Sequence, residues 1–488
     1  MSGPASDPQR ESHARPDLTA GGPVPIPTGS AETTMATETT LHPDPPAWTP
    51  SALRGRDAPL HRERLGTREQ LGIDPDELVV ATGHQAMIWH PGVLAKDLAA
   101  AERVTLLRRD GQPARALHFI ADHDANDGGL VAYPTATLER RGWRMLPTTD
   151  GVSTCDLPPA MPTAAPSSDV ASTEVRRGLD AIERAVDRHR DAPNLAFQLG
   201  RATADLARPF TGPIERHSMS RLLETPIGVH LVEAMMSDPE ACIVAHDQAL
   251  DADQRHRAGH DGRLPRPVAR PLRRGKSEEL PLWRYERDGR RPVRRGEDID
   301  PATCRPRALL ATAMARLGAC DLFVHGLGGG VYDHAMERWI GDWLGADVAD
   351  TLAPATVASA TLRLPLESHA PETAGEHRTP EGLHRLRSDP DLGRSGPDQR
   401  AMLLAAIEAA PRGSRSRRAA YLELRREVEI ARRRGEDQIN RYRGDLDRLA
   451  EHRRRASVAQ DRTWAFPFFT AEALTQLQRS VEVAFAPA

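Results

Sequence analysis

Residues 78–98, LVVATGHQAMIWHPGVLAKDL, decide the fold of this 488-residue chain. The apolar run at 78–81 has the composition of a buried parallel strand, and the polar segment TGHQ follows directly at 82–85. A helical pattern then begins near Pro91. Because a helix that follows a strand turns its unpaired backbone N–H groups toward the strand's carboxyl end, this junction predicts a ligand site.

Two more apolar runs end in the same way. Residues 116–121 (ALHFIA) lead into the segment DHD at 122–124, and residues 321–325 (DLFVH) lead into a glycine-rich loop at 326–330. The order strand, helix, strand predicts right-handed connections and therefore an α/β fold with a parallel sheet. Since the carboxyl ends of parallel strands lie at one edge, the three polar segments are expected to form one pocket.

The chain divides into three predicted regions. Residues 1–50 are rich in Pro, Ser and Thr and predict a disordered tail. Residues 51–395 are expected to form the α/β core, with a helical insertion at about 165–240. Residues 396–488 predict a helical arm that ends in a terminal helix.

Several elements are predicted within these regions. The apolar run at 241–245 indicates a strand, and the polar segment at 368–399 indicates a linker. Residues 416–460 contain no proline and have apolar residues at spacings of three and four, which predicts one long coiled-coil-like helix that Gly435 weakens midway. The aromatic residues at 464–469 are expected to pack the terminal helix onto an apolar surface, for which the core is one candidate.

Composition and charge exclude some classes of protein. The chain has 65 basic and 69 acidic side chains and a net charge of -4, so it has no overall positive charge for nucleic acid or an anionic membrane. Arginines and acids are interleaved in the long helix, which favours a solvated surface over RNA binding. No segment resembles a signal peptide or a membrane span, and no cysteines have C-x-x-C spacing. We expect a cytoplasmic protein that acts on a small molecule, with a homodimer through the arm as a candidate assembly.

Histidines and carboxylates at the first two strand ends are the candidate catalytic groups. His84 and Gln85 lie at a turn before a helix, where their side chains suit the binding of developing negative charge. His90 is assigned to substrate binding, and helix capping is the alternative role for the two histidines.

The DHD segment suits a general base. Its histidine, His123, is flanked by Asp122 and Asp124, which can fix its tautomer, and Asp127 is assigned to substrate binding. These residue types also bind metals, but their spacing matches no zinc motif, so no metal is assigned.

The glycine-rich loop suits an anionic group. Gly326, Gly328 and Gly329 allow a close approach of backbone to ligand ahead of a helix predicted from Tyr332. Two of the glycines fit a G-x-G-x-x-G motif, but Val331 occupies the last glycine position. A tight turn between packed elements is the alternative.

Three short segments together resemble the bacillithiol biosynthesis cysteine-adding enzyme family. GHQAMIWHPGVLAK at 83–96 is similar to its Gly-Gln-Gln-Ala-Gly…Gly-Pro…Lys motif, and the matching residues are Gly83, Gln85, Ala86 and Lys96. FIADHDAND looks like its Glu-Asp-His-Asp signature, with Ala121 replacing the Glu. FVHGLGGGVYD is similar to its Gly-Gly-Pro-Gly-Glu loop but lacks the Pro and the Glu. His84 replaces a glutamine of the family pattern.

The resemblance implies a Rossmann-like, nucleotidyltransferase-like core with a helical insertion and a C-terminal coiled coil. It also implies a ligase that joins cysteine to an amino-sugar conjugate in low-molecular-weight thiol biosynthesis. In this hypothesis His123 is the base toward the attacking amine, and Lys96 and Arg307 bind an anionic substituent. ATP is a candidate cofactor. The alternatives are a nucleotide-binding transferase or hydrolase on the same core, and a non-catalytic coiled-coil assembly protein.

Overall fold

The computed structural model describes residues 38–50, 58–147, 151–258, 265–275, 277–286, 289–366, 378–388 and 398–486. Residue contacts divide this part of the chain into two compact units. The first contains the described residues up to Leu364, apart from Thr137–Glu139, together with those from Arg462 onward. The second contains Thr137–Glu139 and the described residues from Pro365 to Asp461.

The strands all belong to the first unit. In chain order they are β1 (Glu38–His42), β2 (Leu78–Gln85), β3 (Ala114–Ala121), β4 (Leu130–Pro134), β5 (Arg140–Arg144), β6 (Glu215–Ser218), β7 (Arg273–Arg274), β8 (Ser277–Glu286), β9 (Gly289–Arg294), β10 (Cys304–Pro306), β11 (Leu322–His325) and β12 (Ala355–Thr361).

The α-helices are divided between the units. Those of the first unit up to β12 are α1 (His61–Gln70), α2 (Pro91–Arg109), α3 (Thr173–Arg188), α4 (Leu195–Thr211), α5 (Pro226–Ser237), α6 (Pro239–His256), α7 (Ala308–Met314), α8 (Leu327–Leu344) and α9 (Ala346–Ala349). The second unit contains α10 (Pro380–Ser388), α11 (Asp398–Ala409), α12 (Arg415–Arg434) and α13 (Glu436–Ala459). The last helix, α14 (Ala471–Phe485), belongs to the first unit.

The central sheet has six strands among the described residues, in the spatial order β1-β12-β11-β2-β3-β6. β2 pairs in parallel with β11 on one side and with β3 on the other, and β1 forms an antiparallel edge. The predicted α/β fold with parallel strands from the three apolar runs is therefore confirmed. The carboxyl ends of β2, β3 and β11 lie at one edge of this sheet.

The segment quoted first folds as strand, turn and helix. The His90 side chain caps α2 by accepting a hydrogen bond from the Gly92 N–H at 3.1 Å, and Pro91 occupies the first helical position. A Cβ atom on Gly92 would lie 2.9 Å from the carbonyl oxygen of Ala360 in β12, so glycine allows the helix to approach the sheet. α2 therefore begins beside the carboxyl end of β2.

A buried ion cluster holds the opposite edge of the sheet. Asp321, just before β11, accepts hydrogen bonds from Arg64 at 2.7 Å and from Arg68 at 3.1 Å. Its carboxylate also accepts from the backbone N–H of Val79 at 2.8 Å. Because all three partners satisfy one buried carboxylate, the cluster fastens α1 to the amino ends of β2 and β11.

The prediction of a disordered tail at 1–50 is wrong for its last part. Residues 1–37 lie outside the described residues, but β1 pairs with β12 and Trp48 is fully buried with its ring edge-on to Phe485, 5.1 Å away between centroids. Composition missed this segment because its backbone partners and its aromatic contact come from distant parts of the chain.

The strand predicted at 241–245 is also wrong, since these residues lie in α6. The Asp238 side chain accepts a hydrogen bond from the Ala241 N–H at 3.0 Å, and Pro239 occupies the first helical position. A short apolar run does not distinguish strand from buried helix, whereas the cap and the proline favour a helix here.

The C-terminal region differs from its prediction in three places. The long helix predicted at 416–460 is two helices, α12 and α13, that meet at Gly435. The predicted linker contains α10, while 367–377 and 389–397 lie outside the described residues. Residues from Arg462 onward, expected in the arm, belong to the first unit, where α14 packs against α2.

Candidate functional site

A cavity of about 410 Å³ lies at the carboxyl ends of β2, β3 and β11. Parallel α/β sheets place ligands at this edge. The residues predicted from sequence that line the cavity are Gly83, His84, Gln85, His90, Lys96, His123, Asp124, Gly326, Gly328, Gly329 and Tyr332. The structure thus brings the three predicted segments together, but it leaves Asp122, Asp127 and Arg307 outside the lining.

Lys96 places a buried cation in the cavity wall. Its Nζ donates a hydrogen bond to the carbonyl oxygen of Gly83. Burial lowers the pKa of Lys96 to about 8, and the charge of the adjacent Asp97 opposes this shift. Lys96 is therefore still mostly charged at neutral pH, and an ammonium group has further N–H donors for a ligand.

The two histidines of the first segment have different environments. Burial lowers the pKa of His84 well below its ordinary value, and the charge of Lys96 lowers it further. Neutral His84 is suited to hydrogen bonding with a ligand rather than to holding a proton. His90 lines the cavity but also caps α2, so the alternative role of capping is realised for this residue.

Asp124 is the sole carboxylate among the described residues that line the cavity. Its Oδ2 accepts a hydrogen bond from Gln85 Nε2 at 2.7 Å, and its Oδ1 lies 4.0 Å from His123 Nε2. The carbonyl oxygen of His123 accepts a hydrogen bond from the Tyr285 hydroxyl group of β8. The Gln85 side-chain amide and the Tyr285 hydroxyl group therefore hold this end of β3 against β2 and β8.

Asp122 does not support His123 as the sequence hypothesis required. Its carboxylate accepts hydrogen bonds from the hydroxyl groups of Ser218, at 2.5 Å, and Ser220, at 2.9 Å, and from the Ser220 N–H at 2.9 Å. Asp122 is almost fully buried. Because its oxygens are engaged by these donors, it fastens the end of β6 to the end of β3 instead of orienting an imidazole.

Asp127 and Arg307 have partners outside the cavity. Asp127 forms an ion pair with Arg144 of β5, at 2.5 Å. Arg307 donates to Glu279 at 2.7 Å, and its guanidinium group lies 4.1 Å from the centre of the Trp283 ring. Arg144 lies on the β4–β5 hairpin that follows Asp127. Glu279 and Trp283 lie on β8, which pairs with β10 just before Arg307. Sequence spacing could not show these contacts, because it does not give the pairing of these strands.

The glycine-rich segment is helical, not a loop. α8 begins at Leu327, not near Tyr332, because the Gly330 N–H donates to the carbonyl oxygen of Gly326 at 3.1 Å and closes the first turn. Gly326 occupies the N-cap position and has no side chain to accept a hydrogen bond from the first turn. The first N–H groups of α8 therefore line the cavity without a side-chain acceptor.

The lining also contains residues that the sequence analysis did not assign. His325 ends β11 and follows an apolar run as His84 does, so the same strand-end rule would have selected it. Arg462 donates hydrogen bonds to Thr361 Oγ1 at 3.1 Å and to Ser359 Oγ at 3.5 Å. No local sequence pattern predicts a site role for Arg462, because this residue reaches the cavity only where the chain re-enters the first unit after residue 461.

A second histidine–carboxylate pair lies outside the lining. His118 Nδ1 lies 2.7 Å from Asp97 Oδ1, and Arg216 donates to Asp97 Oδ2 at 2.8 Å. The Trp89 ring stacks on His118 with 4.6 Å between centroids. Burial lowers the pKa of His118 to about 4, against the opposing charge of Asp97. Neutral His118 therefore donates its Nδ1–H to the Asp97 carboxylate.

The described residues contain no group of three or more His, Cys, Asp or Glu side chains arranged to hold a metal ion. The four cysteines are unpaired. None of the described helices combines the length and the apolar content needed to cross a membrane.

No protein-family model matches this chain, and a comparison with curated proteins found no match. Among solved structures, the chain is similar to a putative arginyl-tRNA synthetase from Campylobacter jejuni, with 9% identity over 87% of this chain and 95% of that one. The TM-score is 0.26. A likeness at this level establishes neither a shared fold nor a shared activity.

Proposed function

We propose that the cavity is the active site of a ligase that joins the carboxyl group of an amino acid to an amine. The proposal rests on one observation, which is that the cavity contains both a group of positive N–H donors and a carboxylate. Lys96, Arg462 and the first turn of α8 supply positive charge and N–H donors, while Asp124 supplies a lone carboxylate. An activated carboxyl group is anionic and an incoming amine is cationic before it reacts, so the two sets of groups suit the two substrates.

The finer assignment follows from the sequence motifs. Gly83, Gln85 and Lys96 carry the resemblance to the cysteine-adding enzymes and lie together at this cavity. Cysteine and an amino sugar are therefore the first substrates to test. A nucleoside triphosphate would activate the cysteine carboxyl group, and its phosphates would bind Lys96 and the α8 N-terminus. As part of the same proposal, the α/β core is Rossmann-like and resembles that of nucleotidyltransferases.

The experiment is a direct search for the product. The purified full chain is incubated with ATP, Mg²⁺, cysteine and a glucosamine conjugate, and mass spectrometry measures the amide and the released AMP or ADP. We expect product with the natural sequence and a large loss in Asp124→Asn and Lys96→Met. Arg338→Ala is the matched control, because Arg338 is an exposed cation of α8 paired with Asp342. Equal product from all variants would contradict the assignment of the cavity.

A nucleotide-binding transferase or hydrolase is the second candidate. The specific observation for it is that Lys96 and the free α8 N-terminus suit phosphate without any need for an amine. Calorimetric titration separates the two functions. ATP binding that is unaffected by cysteine and the amino sugar favours the second candidate, whereas mutual enhancement of ATP and cysteine binding favours the ligase.

A further inference from the structure

His325 is held by a chain of buried charges that begins in α8. Its Nε2 lies 3.3 Å from Asp333 Oδ1, and the other oxygen of Asp333 accepts a hydrogen bond from Arg316 at 2.5 Å. Arg316 is itself fixed by Glu337 and by the carbonyl oxygen of Ala353. Burial favours the neutral form of Asp333, but the charges of Arg316 and His325 outweigh it and keep the pKa of Asp333 below its ordinary value. Asp333 is therefore an anion that faces one nitrogen of the ring.

The other ring nitrogen, Nδ1, faces the cavity. Among the described residues neither ring nitrogen forms a hydrogen bond, and Nε2 is enclosed by protein whereas Nδ1 is not. A Cβ atom on Gly329 would lie 2.4 Å from Nδ1, so the glycine makes room for this edge of the ring beside the first turn of α8. Nε2 lies 3.3 Å from Asp333 Oδ1 without forming a hydrogen bond to it. When the Nε2–H turns toward this carboxylate, the ring presents the lone pair of Nδ1 to a ligand.

The other histidines of the lining lack this arrangement. His90 Nδ1 is used in capping α2, and His123 Nδ1 is enclosed by protein without a partner. His84 Nδ1 lies 3.4 Å from the carbonyl oxygen of Gln85, and burial and the charge of Lys96 lower the pKa of this ring and so disfavour its protonation.

A proton acceptor needs one free nitrogen toward the substrate and one nitrogen oriented by a third group. Of the lining histidines that have a carboxylate nearby among the described residues, His325 has the nearer one, at 3.3 Å from Asp333. The corresponding distance between His123 and Asp124 is 4.0 Å. The other ring nitrogen of His325 is not enclosed.

We propose that His325 is the base that takes a proton from the attacking amine, with Asp333 as its positioning residue. This role rests on the proposed ligase function. The amine nitrogen forms a bond with the acyl carbon of an acyl phosphate or acyl adenylate made from a nucleoside triphosphate. The carbon–oxygen bond to the phosphate breaks and its electron pair stays on the phosphate oxygen. The ammonium ion first releases one proton to solvent and becomes the free amine that attacks. The second proton, which the nitrogen loses as the amide forms, moves to His325 Nδ1, and Asp333 stabilises the imidazolium.

The charged and aromatic groups near His325 come from several elements. Asp333 and Tyr332 come from α8, and Arg316 lies behind Asp333. Lys96 of α2 and Arg462 lie in the same lining. The 3.3 Å separation of His325 and Asp333 is longer than a strong hydrogen bond, which is common before substrate binds and tightens the site.

The first test does not depend on turnover. The full chain is treated with diethyl pyrocarbonate, and peptide mass spectrometry measures the rate of modification of each histidine. His118 is the matched control, because it also pairs with a buried aspartate but lies outside the cavity. We expect His325 to react at least about tenfold faster than His118, since only His325 offers a free nitrogen to the cavity. Equal rates would overturn the assignment of an accessible Nδ1, even if the ligase activity is found.

The second test separates a base from a structural residue. In His325→Gly we expect kcat for amide formation to fall about 10²- to 10⁴-fold, and added imidazole to restore part of the loss. Asp333→Asn should lower kcat with little change in KM. Asp342→Asn, which removes an exposed carboxylate of the same helix that pairs with Arg338 and lies outside this chain of charges, should leave kcat unchanged. A folded His325→Gly variant with full activity, or one that imidazole does not rescue, would overturn the proposal. A natural chain without any ligase activity would instead overturn the proposed function, leaving the modification result to stand by itself.

Discussion

At the scale of single residues, Lys96 shows how burial sets chemistry. An ammonium group in water has a pKa near 10.4, but burial lowers the pKa of Lys96 to about 8. The charge of this residue is therefore present at neutral pH and is lost within the mildly alkaline range. The sequence contains only one other lysine, Lys276, so a loss of side-chain ammonium charge in this range points to Lys96.

We predict that ATP binds less tightly as the pH rises through about 8. Lys96 is charged below its pKa and neutral above it, so an anionic ligand loses its buried partner on the alkaline side. Calorimetric titration with ATP between pH 7 and pH 9.5 measures the dependence. Lys96→Met should bind ATP more weakly at neutral pH and show little change over the range. A Lys96→Met variant that keeps the full alkaline loss would assign the effect to another group.

At the scale of elements, the glycines in the first turn of α8 differ in what their Cα atoms pack against. Gly329 lies against the His325 ring, and a Cβ atom on Gly330 would lie 2.5 Å from Val357 Cγ2. Around Gly328 there is no heavy atom within 4 Å of a Cβ position. The three glycines look equivalent in sequence, but because α8 packs on β11 and β12 they differ in whether they can accept a larger side chain.

We predict opposite effects of alanine at two adjacent glycines. Gly329→Ala should lower the free energy of unfolding by about 1–3 kcal/mol, because the new methyl group overlaps the His325 ring. Gly328→Ala should be neutral or stabilise the protein by up to about 1 kcal/mol, because it improves helix propensity in open space. Urea denaturation of the two variants measures the difference. A loss of stability in Gly328→Ala equal to that in Gly329→Ala would contradict the packing described for this turn.

At the scale of the whole molecule, the second unit contains the helices in which the sequence predicts an apolar seam for a homodimer. Its helices α12 and α13 expose most of their length, and Leu446 of α13 is half-buried. Arginine and acidic side chains alternate on both helices, which suits pairing with a second copy. The homodimer stays a prediction.

We predict that Leu446→Asp lowers the sedimentation coefficient from that of a dimer to that of a monomer. A charge in an apolar seam disfavours association because it must lose its hydration. Ala450→Asp is the matched control, since it adds the same charge at an exposed position of the same helix. Circular dichroism checks that the arm stays helical in both variants. A dimer that persists in a folded Leu446→Asp variant would exclude this seam as the interface.

The sequence by itself determined the parallel strands and their polar ends. Strongly apolar runs of four to six residues are expected to be buried, and where such runs form parallel strands the residues directly after them lie at one sheet edge. The run at 241–245, which is helical, shows that burial alone does not distinguish a strand from a helix. This reasoning placed His84, His123 and Gly326 correctly at one edge, and it applies equally to His325.

Only the tertiary structure decided which of these residues are available for chemistry. Asp122 and Asp124 are two positions apart in sequence, yet the first is saturated by Ser218 and Ser220 and the second faces the cavity. Asp333 and Arg462 reach the site through packing between elements that no local pattern connects. The physical reason is that a side chain's role depends on its hydrogen-bond partners, and those partners come from parts of the chain whose proximity is fixed only when the core packs.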